Sequence, residues 1–515
     1  MTTVTPYRSK RKSGSDGFGR LLRAEWTKFR TVRGWVIAVA LAAAAAFGIS
    51  VFLASNGHIS CSPGPCSING QPPVTGPGGL PVNDAFYFVH QTLDGNSSIT
   101  ARVTALTSAP ALGGFQGPSA TGLQPWAKTG VILKASMAQG SAYAAIMVTA
   151  SHGVRMQYNY THDIAGPPGA ASAASPRWLR LTRSGDTVTG YESGNGTHWI
   201  KVGTATLAGF PRAVQAGLFT ASPDAAQQGQ TRLFTAATGV LDHVSLPGGA
   251  ALRAKGYEFP AQGFQFFGRE QRSGEFTEKA GTFAVTGSGD IGPYQVPSDK
   301  TADSLLGMIV GLIVVIAVAA PFITAEYRRG IIHTTLAVSP RRGRVLAAKA
   351  IVIGLVSFVA GLAAAAIALP LAEKLLQSNY YRPPWFMTAA GLTSGTGLRI
   401  VLGTGALFAI TAILAVGLGT IVRRSAVAIT MAIAVIVLPE LLEVSLPQSP
   451  AQWLQEFTPA AAFGIHSSIP RYPQVACYAV KGCYPLPPWA GLGVFALYAA
   501  AALALGFLLL RRRDA

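Results

Sequence analysis

Six stretches of this chain are long, apolar and free of charge: Trp35–Ala54, Leu305–Thr324, Ala350–Ala372, Ile400–Val422, Ser425–Pro439 and Trp489–Leu510. A bilayer's hydrocarbon core takes about 20 apolar residues of helix. Five stretches meet that length. The fifth in order, Ser425–Pro439, is short alone and is expected to run on through Leu442 despite Glu440. The expectation is therefore an α-helical membrane protein with six transmembrane helices. Apolar residues make up 49% of the chain and charged residues 12%. So much apolar content excludes a disordered chain. Residues 1–34 precede the first stretch and no clear small-residue cleavage site follows it, so it is expected to stay as an anchor rather than act as a signal peptide.

The charge is as clustered as the apolar residues. The net charge is +19. Residues 1–34 hold nine Lys/Arg, the loop after the second helix holds six, Arg423 and Arg424 join helices four and five, and Arg511, Arg512 and Arg513 close the chain. A six-helix chain puts all four segments on one side, which the positive-inside rule makes cytoplasmic. The localisation expected is the plasma membrane, multi-pass, with both termini inside and residues 55–302 outside. Basic charge at that face meets anionic lipid headgroups. Nucleic acid is not expected as a partner, because no recognition fold accompanies the charge. Cys61 and Cys66, and Cys477 and Cys483, both fall on the oxidising side as close pairs, consistent with two local disulfides. Their spacing argues against a zinc site.

Domain organisation follows. Residues 1–34 are a cytoplasmic basic tail carrying an amphipathic helix, in which Leu21, Leu22, Trp26 and Phe29 recur at helical spacing among basic residues. Residues 35–54 are the first span and 55–82 a Pro/Gly/Ser linker. Residues 83–302 change to short β-like runs broken by turns, an all-β sandwich inserted between spans. The expected strands are Ser98–Ala105, Thr129–Leu133, Ala142–Thr149, Gly153–Tyr160, Trp178–Arg183, Thr187–Glu192, Trp199–Thr206, Val214–Thr220 and Val240–Leu246. Residues 250–300 add strands or an appended hairpin. His162-Asp163 reads as a surface loop, and Thr286-Gly287-Ser288-Gly289 as a turn. Residues 303–515 carry helices two to six, with the loop 325–349 between helices two and three.

Little here points to chemistry within the chain. The spans lack the buried ionisable residues that ion-coupled carriers use. The dipeptide Gly-Lys of a phosphate-binding loop is absent. No paired-carboxylate motif of a glycosidase occurs. No catalytic, cofactor or metal site is expected, and energy for transport would have to come from another polypeptide.

The loop Phe322-Ile323-Thr324-Ala325-Glu326-Tyr327-Arg328-Arg329-Gly330, continuing to Ser339-Pro340-Arg341-Arg342-Gly343-Arg344 and Lys349, is a charged elbow between two spans. It resembles the loop between helices two and three of exporter-type permeases of ATP-binding-cassette (ABC) transporters. The run Arg23-Ala24-Glu25-Trp26-Thr27-Lys28-Phe29-Arg30-Thr31 resembles the start of actinobacterial members. The likeness covers about residues 1–56 and 303–515. It implies an ATP-driven exporter whose ATP and Mg are held by a separate cytosolic ATPase. It also implies a second permease, the same chain or a related one. The ATPase-coupling residues it implies are Glu326, Tyr327, Arg328, Arg329, Gly330, Arg341 and Arg342, with Glu25, Trp26 and Lys28. The chain departs from that family in its long external segment. That segment resembles concanavalin-like, laminin-G-like jelly-roll sandwiches around Trp126-Ala127-Lys128-Thr129-Gly130 and Trp178–Gly185. Such domains often bind glycans, which makes Trp126, Trp178, Tyr191 and Trp199 a candidate face for an envelope glycan.

Overall fold

The structure is a computed structural model. It describes residues 17–56, 74–110, 119–120, 122–226, 232–247, 252, 255–259, 274–294, 299–331, 341–378, 391–443, 446, 448–474 and 484–512. All four cysteines, and residues 332–340 of the loop 325–349, lie outside them.

The apolar stretches form helices. After an amphipathic helix α1 (Phe18–Thr31) comes α2 (Arg33–Asn56). A short helix α3 (Lys300–Ser304) and one turn of 3-10 helix lead into α4 (Met308–Arg328), and then follow α5 (Arg342–Ser378), α6 (Gly395–Val422), α7 (Ser425–Glu443), α8 (Gln448–Phe457) and α9 (Pro488–Arg512). Six of these helical segments are long and apolar enough to cross a membrane: α2, α3 running into α4, α5, α6, α7 and α9. At 1.5 Å per residue, 20 residues already reach about 30 Å. The expected fifth span does run past Glu440, to Glu443.

Small residues let these helices close up. Gly311 on α4 and Gly361 on α5 both leave room for the ring of Phe408 on α6. A Cβ at Gly361 would lie 2.6 Å from that ring. Close backbone approach through glycine and alanine is how helices pack without a hydrophobic drive between them. The outward faces are as apolar as the inward ones. Leu41 and Phe52 of α2, Leu355 of α5, Leu441 of α7 and Leu497 of α9 are all exposed. A helix hydrophobic all round needs an apolar surrounding.

Between α2 and α3 lies the β region, with two seven-stranded antiparallel sheets packed face to face. One runs in the order β10 (Ile200–Thr206), β9 (Thr187–Ser193), β8 (Arg177–Ser184), β3 (Ser98–Ala109), β14 (Ala236–Ser245), β17 (Thr282–Ser288), β16 (Gly274–Lys279). The other runs β15 (Lys255–Phe259), β2 (Phe86–Asp94), β11 (Ala213–Ala221), β4 (Lys128–Lys134), β5 (Tyr143–Thr149), β6 (Val154–Tyr158), β7 (His162–Ala165). Two small ribbons complete it, β1 (Val82–Asp84) with β18 (Ile291–Pro293) and β12 (Ala225–Ala226) with β13 (Arg232–Leu233). In β8 the period of two is plain: Leu179 and Leu181 are buried between the sheets while Trp178, Arg180 and Thr182 face outward. β4 and β5 are buried on both faces. Their second face carries Ile132, Tyr143 and Met147 against Phe86, Phe88, Phe219 and Ile291.

All nine expected strands are present. Two expectations need correction. His162-Asp163 is not a loop but the start of edge strand β7, paired Gln157 to Asp163 and Tyr158 to His162. Asp163 is held there by Arg155 and by Gln157, at 2.9 Å. Thr286-Gly287-Ser288 is not a turn but the end of β17. Gly287 is needed for close approach, since a Cβ would meet the Thr220 carbonyl oxygen of the other sheet at 2.0 Å. Of the two readings of residues 250–300, added strands hold: β16 and β17 form one edge of the first sheet.

The second face of β4 and β5 also buries charge. Lys134 and Asp84 are fully buried and paired at 2.7 Å. The Tyr160 hydroxyl and the Gly140 N–H donate to the same carboxylate oxygen, both within 2.9 Å. Burial pushes the Lys134 ammonium down, and the Asp84 carboxylate opposes that.

The sandwich is tied to the bundle. Asp299 caps α3 and accepts from the Ser468 hydroxyl at 2.7 Å and the Ile469 N–H at 3.2 Å. Gln474 donates to the Tyr160 carbonyl at 3.1 Å. The 3-10 segment Pro459–His466 that precedes these contacts is wholly buried against the helices.

Removing one partner of a buried ion pair leaves an uncompensated charge, at a cost of about 3–5 kcal/mol. Asp84→Ala is therefore expected to lower the unfolding midpoint of the full-length protein in detergent sharply. Arg102→Ala, which breaks a partly exposed pair with Asp242, should lower it by far less.

Candidate functional site

One end of the bundle gathers the basic residues. There the chain makes a four-charge cluster from three separate helices. Lys349, one turn into the apolar part of α5, is fully buried. Its ammonium donates to both carboxylate oxygens of Glu25 on α1, at 2.9 and 2.8 Å, and to Oε1 of Glu326 on α4 at 2.7 Å. Lys28 on α1 donates to that same Glu326 oxygen. Phe322, one turn before Glu326, lies beneath, with Lys349 at 5.2 Å and Lys28 at 5.9 Å from its ring centre.

Sequence spacing explains the geometry. Glu25, Lys28 and Phe29 stand at i, i+3 and i+4 on α1 and so share a face. Glu25 and Phe29 are its buried positions. Phe29 and Trp35 both meet Phe322 edge-on, at 6.5 and 5.7 Å between ring centres. The amphipathic helix is thus folded onto the roots of α4 and α5 by aromatic packing and by charge. Burial, then the neighbouring Lys349, holds the Lys28 ammonium down to about 8, with Glu25 opposing.

The expected coupling residues separate into two groups. Glu25, Lys28 and Glu326 come together, turned inward. Arg328, Arg329, Gly330 and Arg341 are exposed, and Trp26 is exposed on the outer side of α1. Gly330 has φ 68°, the left-handed geometry that ends a helix and favours glycine. Tyr327 and Arg342 are half-buried. Arg342 donates to the Leu510 carbonyl at the end of α9, at 2.6 Å. Sequence reasoning misses Lys349 as a site residue. The available signal was a lysine flanked by Ala347-Ala348 and Ala350-Ile351, which cannot stay charged among apolar neighbours without a partner.

The candidate glycan face is only partly assembled. Tyr191 pairs across strands with Arg180, two residues from Trp178 on the outer face of the first sheet. Trp199 stacks on the Arg180 guanidinium at 3.8 Å. Trp178 has Arg102 at 5.6 Å and His243 edge-on at 5.2 Å. Trp126 lies buried in the turn before β4 of the other sheet, stacked on His152 at 3.8 Å. The structure therefore brings Trp178, Tyr191 and Trp199 together and leaves Trp126 apart.

The chain matches no protein-family profile and no curated protein. Solved structures align to it weakly. A functionally unknown protein from Saccharomyces cerevisiae is 12% identical, with 32% of this chain and 75% of that one covered and a TM-score of 0.21. Scytalido-glutamic peptidase with a transition state analog inhibitor is 8% identical over 40% of this chain and 98% of that one, with a TM-score of 0.26. The same peptidase with a peptide-based analog gives 8%, 39%, 98% and 0.25. Likeness at this level carries no conclusion about this chain's chemistry.

Lys28 provides a pH test. Its folded-state value, about 8, lies below the ordinary 10.5. Between these values the folded chain binds fewer protons than the unfolded one, so this group adds stability as pH rises through that window. Amine-acylation rates at Lys28, followed by peptide mapping, should rise with a midpoint near pH 8. In Glu25→Gln the midpoint should move lower, because a favourable charge is gone.

Proposed function

We propose that this chain is the membrane-spanning permease subunit of an ATP-driven exporter of the ABC kind. Its basic end faces the cytoplasm and its sandwich, of concanavalin- or laminin-G-like build, lies outside. ATP and Mg belong to a separate ATPase chain, and a second permease, identical or related, completes the pore. The observation that carries this reading is the cluster of Glu25, Lys28, Glu326 and Lys349. It joins an amphipathic surface helix to the roots of two spanning helices, so a push on α1 or on the Arg328–Gly330 turn moves α4 and α5 together. The exposed Trp26, Arg328, Arg329 and Arg341 form the contact surface for the ATPase. The buried four-charge cluster passes the motion on. The sandwich, tied to the bundle through Asp299 and Gln474, presents Trp178, Tyr191 and Trp199 to an envelope glycan, to the substrate or to a partner.

Affinity purification of the tagged protein from its native membrane tests this. A stoichiometric ATPase is expected to co-purify. Arg328→Ala combined with Arg329→Ala should lose it while the chain stays monodisperse. Glu326→Gln should keep the ATPase bound and lower substrate-stimulated ATP hydrolysis, by about tenfold if one charge-assisted hydrogen bond is lost. A preparation with no ATPase would favour a membrane-anchored glycan-binding or sensor protein that transports nothing.

A further inference from the structure

The basic end uses its two kinds of cation differently. Among the described residues its lysines, Lys28 and Lys349, both point into the buried cluster and consume its carboxylates, Glu25 and Glu326. The remaining charged side chains of that end among the described residues are arginines. Four helix ends also lie at this basic end. They are the end of α4 at Tyr327, the start of α5 at Arg342, the turn from α6 to α7 at Arg423 and the last turn of α9 at Leu510.

We propose that Tyr327, Arg342 and Arg423 form a binding site for the phosphate group of one anionic phospholipid of the inner leaflet. The site rests on the membrane orientation proposed above. Arg423 caps α6 with φ 61°, a left-handed conformation that an arginine rarely adopts. That conformation carries its guanidinium to 5.0 Å from the centre of the Tyr327 ring. The turn is pinned to α4 by a hydrogen bond of 2.7 Å between the Thr324 and Ser425 hydroxyls. Arg342, at the start of α5, is steadied at the same end by its 2.6 Å bond to the Leu510 carbonyl. The Tyr327 hydroxyl is shielded from solvent and has no hydrogen-bond partner among the described residues.

A sheltered hydroxyl donor beside the Arg423 guanidinium calls for an anionic oxygen. With Glu25 and Glu326 already engaged, no other carboxylate of the described residues at this end supplies it. A phosphate accepts from the hydroxyl and from both arginines. A lipid is the source rather than free phosphate, because apolar surface continues from the site toward the bilayer. Leu505 and Leu508 on α9 and Ile351 on α5 are exposed within three turns of Leu510 and Arg342, where acyl chains would lie. Basic sites between helix ends at the cytoplasmic side are suited to anionic headgroups.

Native mass spectrometry of the purified full-length protein, exchanged into micelles holding equal phosphatidylglycerol and phosphatidylcholine, reads the site directly. One phosphatidylglycerol per chain is expected to be retained. Tyr327→Phe, which keeps the ring and removes one oxygen, and Arg423→Gln should each lower retention by about tenfold. Arg512→Gln, an exposed arginine of the same end, should leave it unchanged. Equal loss in Arg512→Gln would show diffuse attraction and overturn the site, as would retention unchanged in both site variants. Displacement by inorganic phosphate as readily as by lipid would also overturn it. The chain alone is measured, so absence of an ATPase would remove the permease reading without touching this one. Release of the chain from membranes without detergent would remove both.

Discussion

A lysine buried at the root of an apolar helix bundle sets the conditions for everything around it. An unpaired ammonium there would carry a desolvation cost of several kcal/mol. Lys349 therefore demands carboxylates, and the fold brings it two, from different helices. Glu25 arrives only if α1 lies back across the bundle, and Glu326 only if α4 ends beside the start of α5. Two carboxylates around one ammonium would leave a net negative charge, which Lys28 cancels. Phe322 lies under both cations and packs against Phe29 and Trp35. Removing any one charge leaves another exposed to the full cost of burial. That mutual dependence is what makes α1, α4 and α5 one mechanical body.

The same economy appears at the other end of the bundle and in the sandwich. Asp299, which burial pushes above the usual carboxylate range, is offset by donors from Ser468, Ile469 and Ala302. Asp84 is offset by Lys134, Tyr160 and Gly140. Each carboxylate sits where two structural units meet. Polar groups, being costly to bury, fix relative placement where apolar packing alone would tolerate sliding. Arginine, by contrast, stays at the surface of the basic end or, in Arg342 and Arg423, at its half-buried margin.

Much of the fold was legible in the sequence because its signals are local. Six charge-free stretches became six long apolar helices, with ends displaced by a few residues, and nine alternating runs became nine strands. Two segments were misread for want of a local signature. β7 opens on His162 and Asp163, polar residues that look like a loop until Arg155 and Gln157 on the neighbouring strand hold them. The end of β17 is rich in glycine because another sheet passes close by, not because the chain turns. The candidate site divides the same way. Glu25, Lys28 and Glu326 are visible as charges in two short runs. Lys349 stands 324 positions from Glu25, and no spacing rule reaches that far. That Arg328 and Arg329 face outward while Glu326 turns inward needs the helix end in three dimensions.

The central claim is that the buried cluster makes α1 and the end of α4 move as one. Pulsed electron resonance between spin labels at Arg30→Cys and Arg328→Cys, with the native cysteines replaced by serine, measures it directly. One narrow distance is predicted, broadened when Lys349→Met removes the central charge. A distance already broad in the parent protein, or one indifferent to Lys349→Met, would contradict the claim.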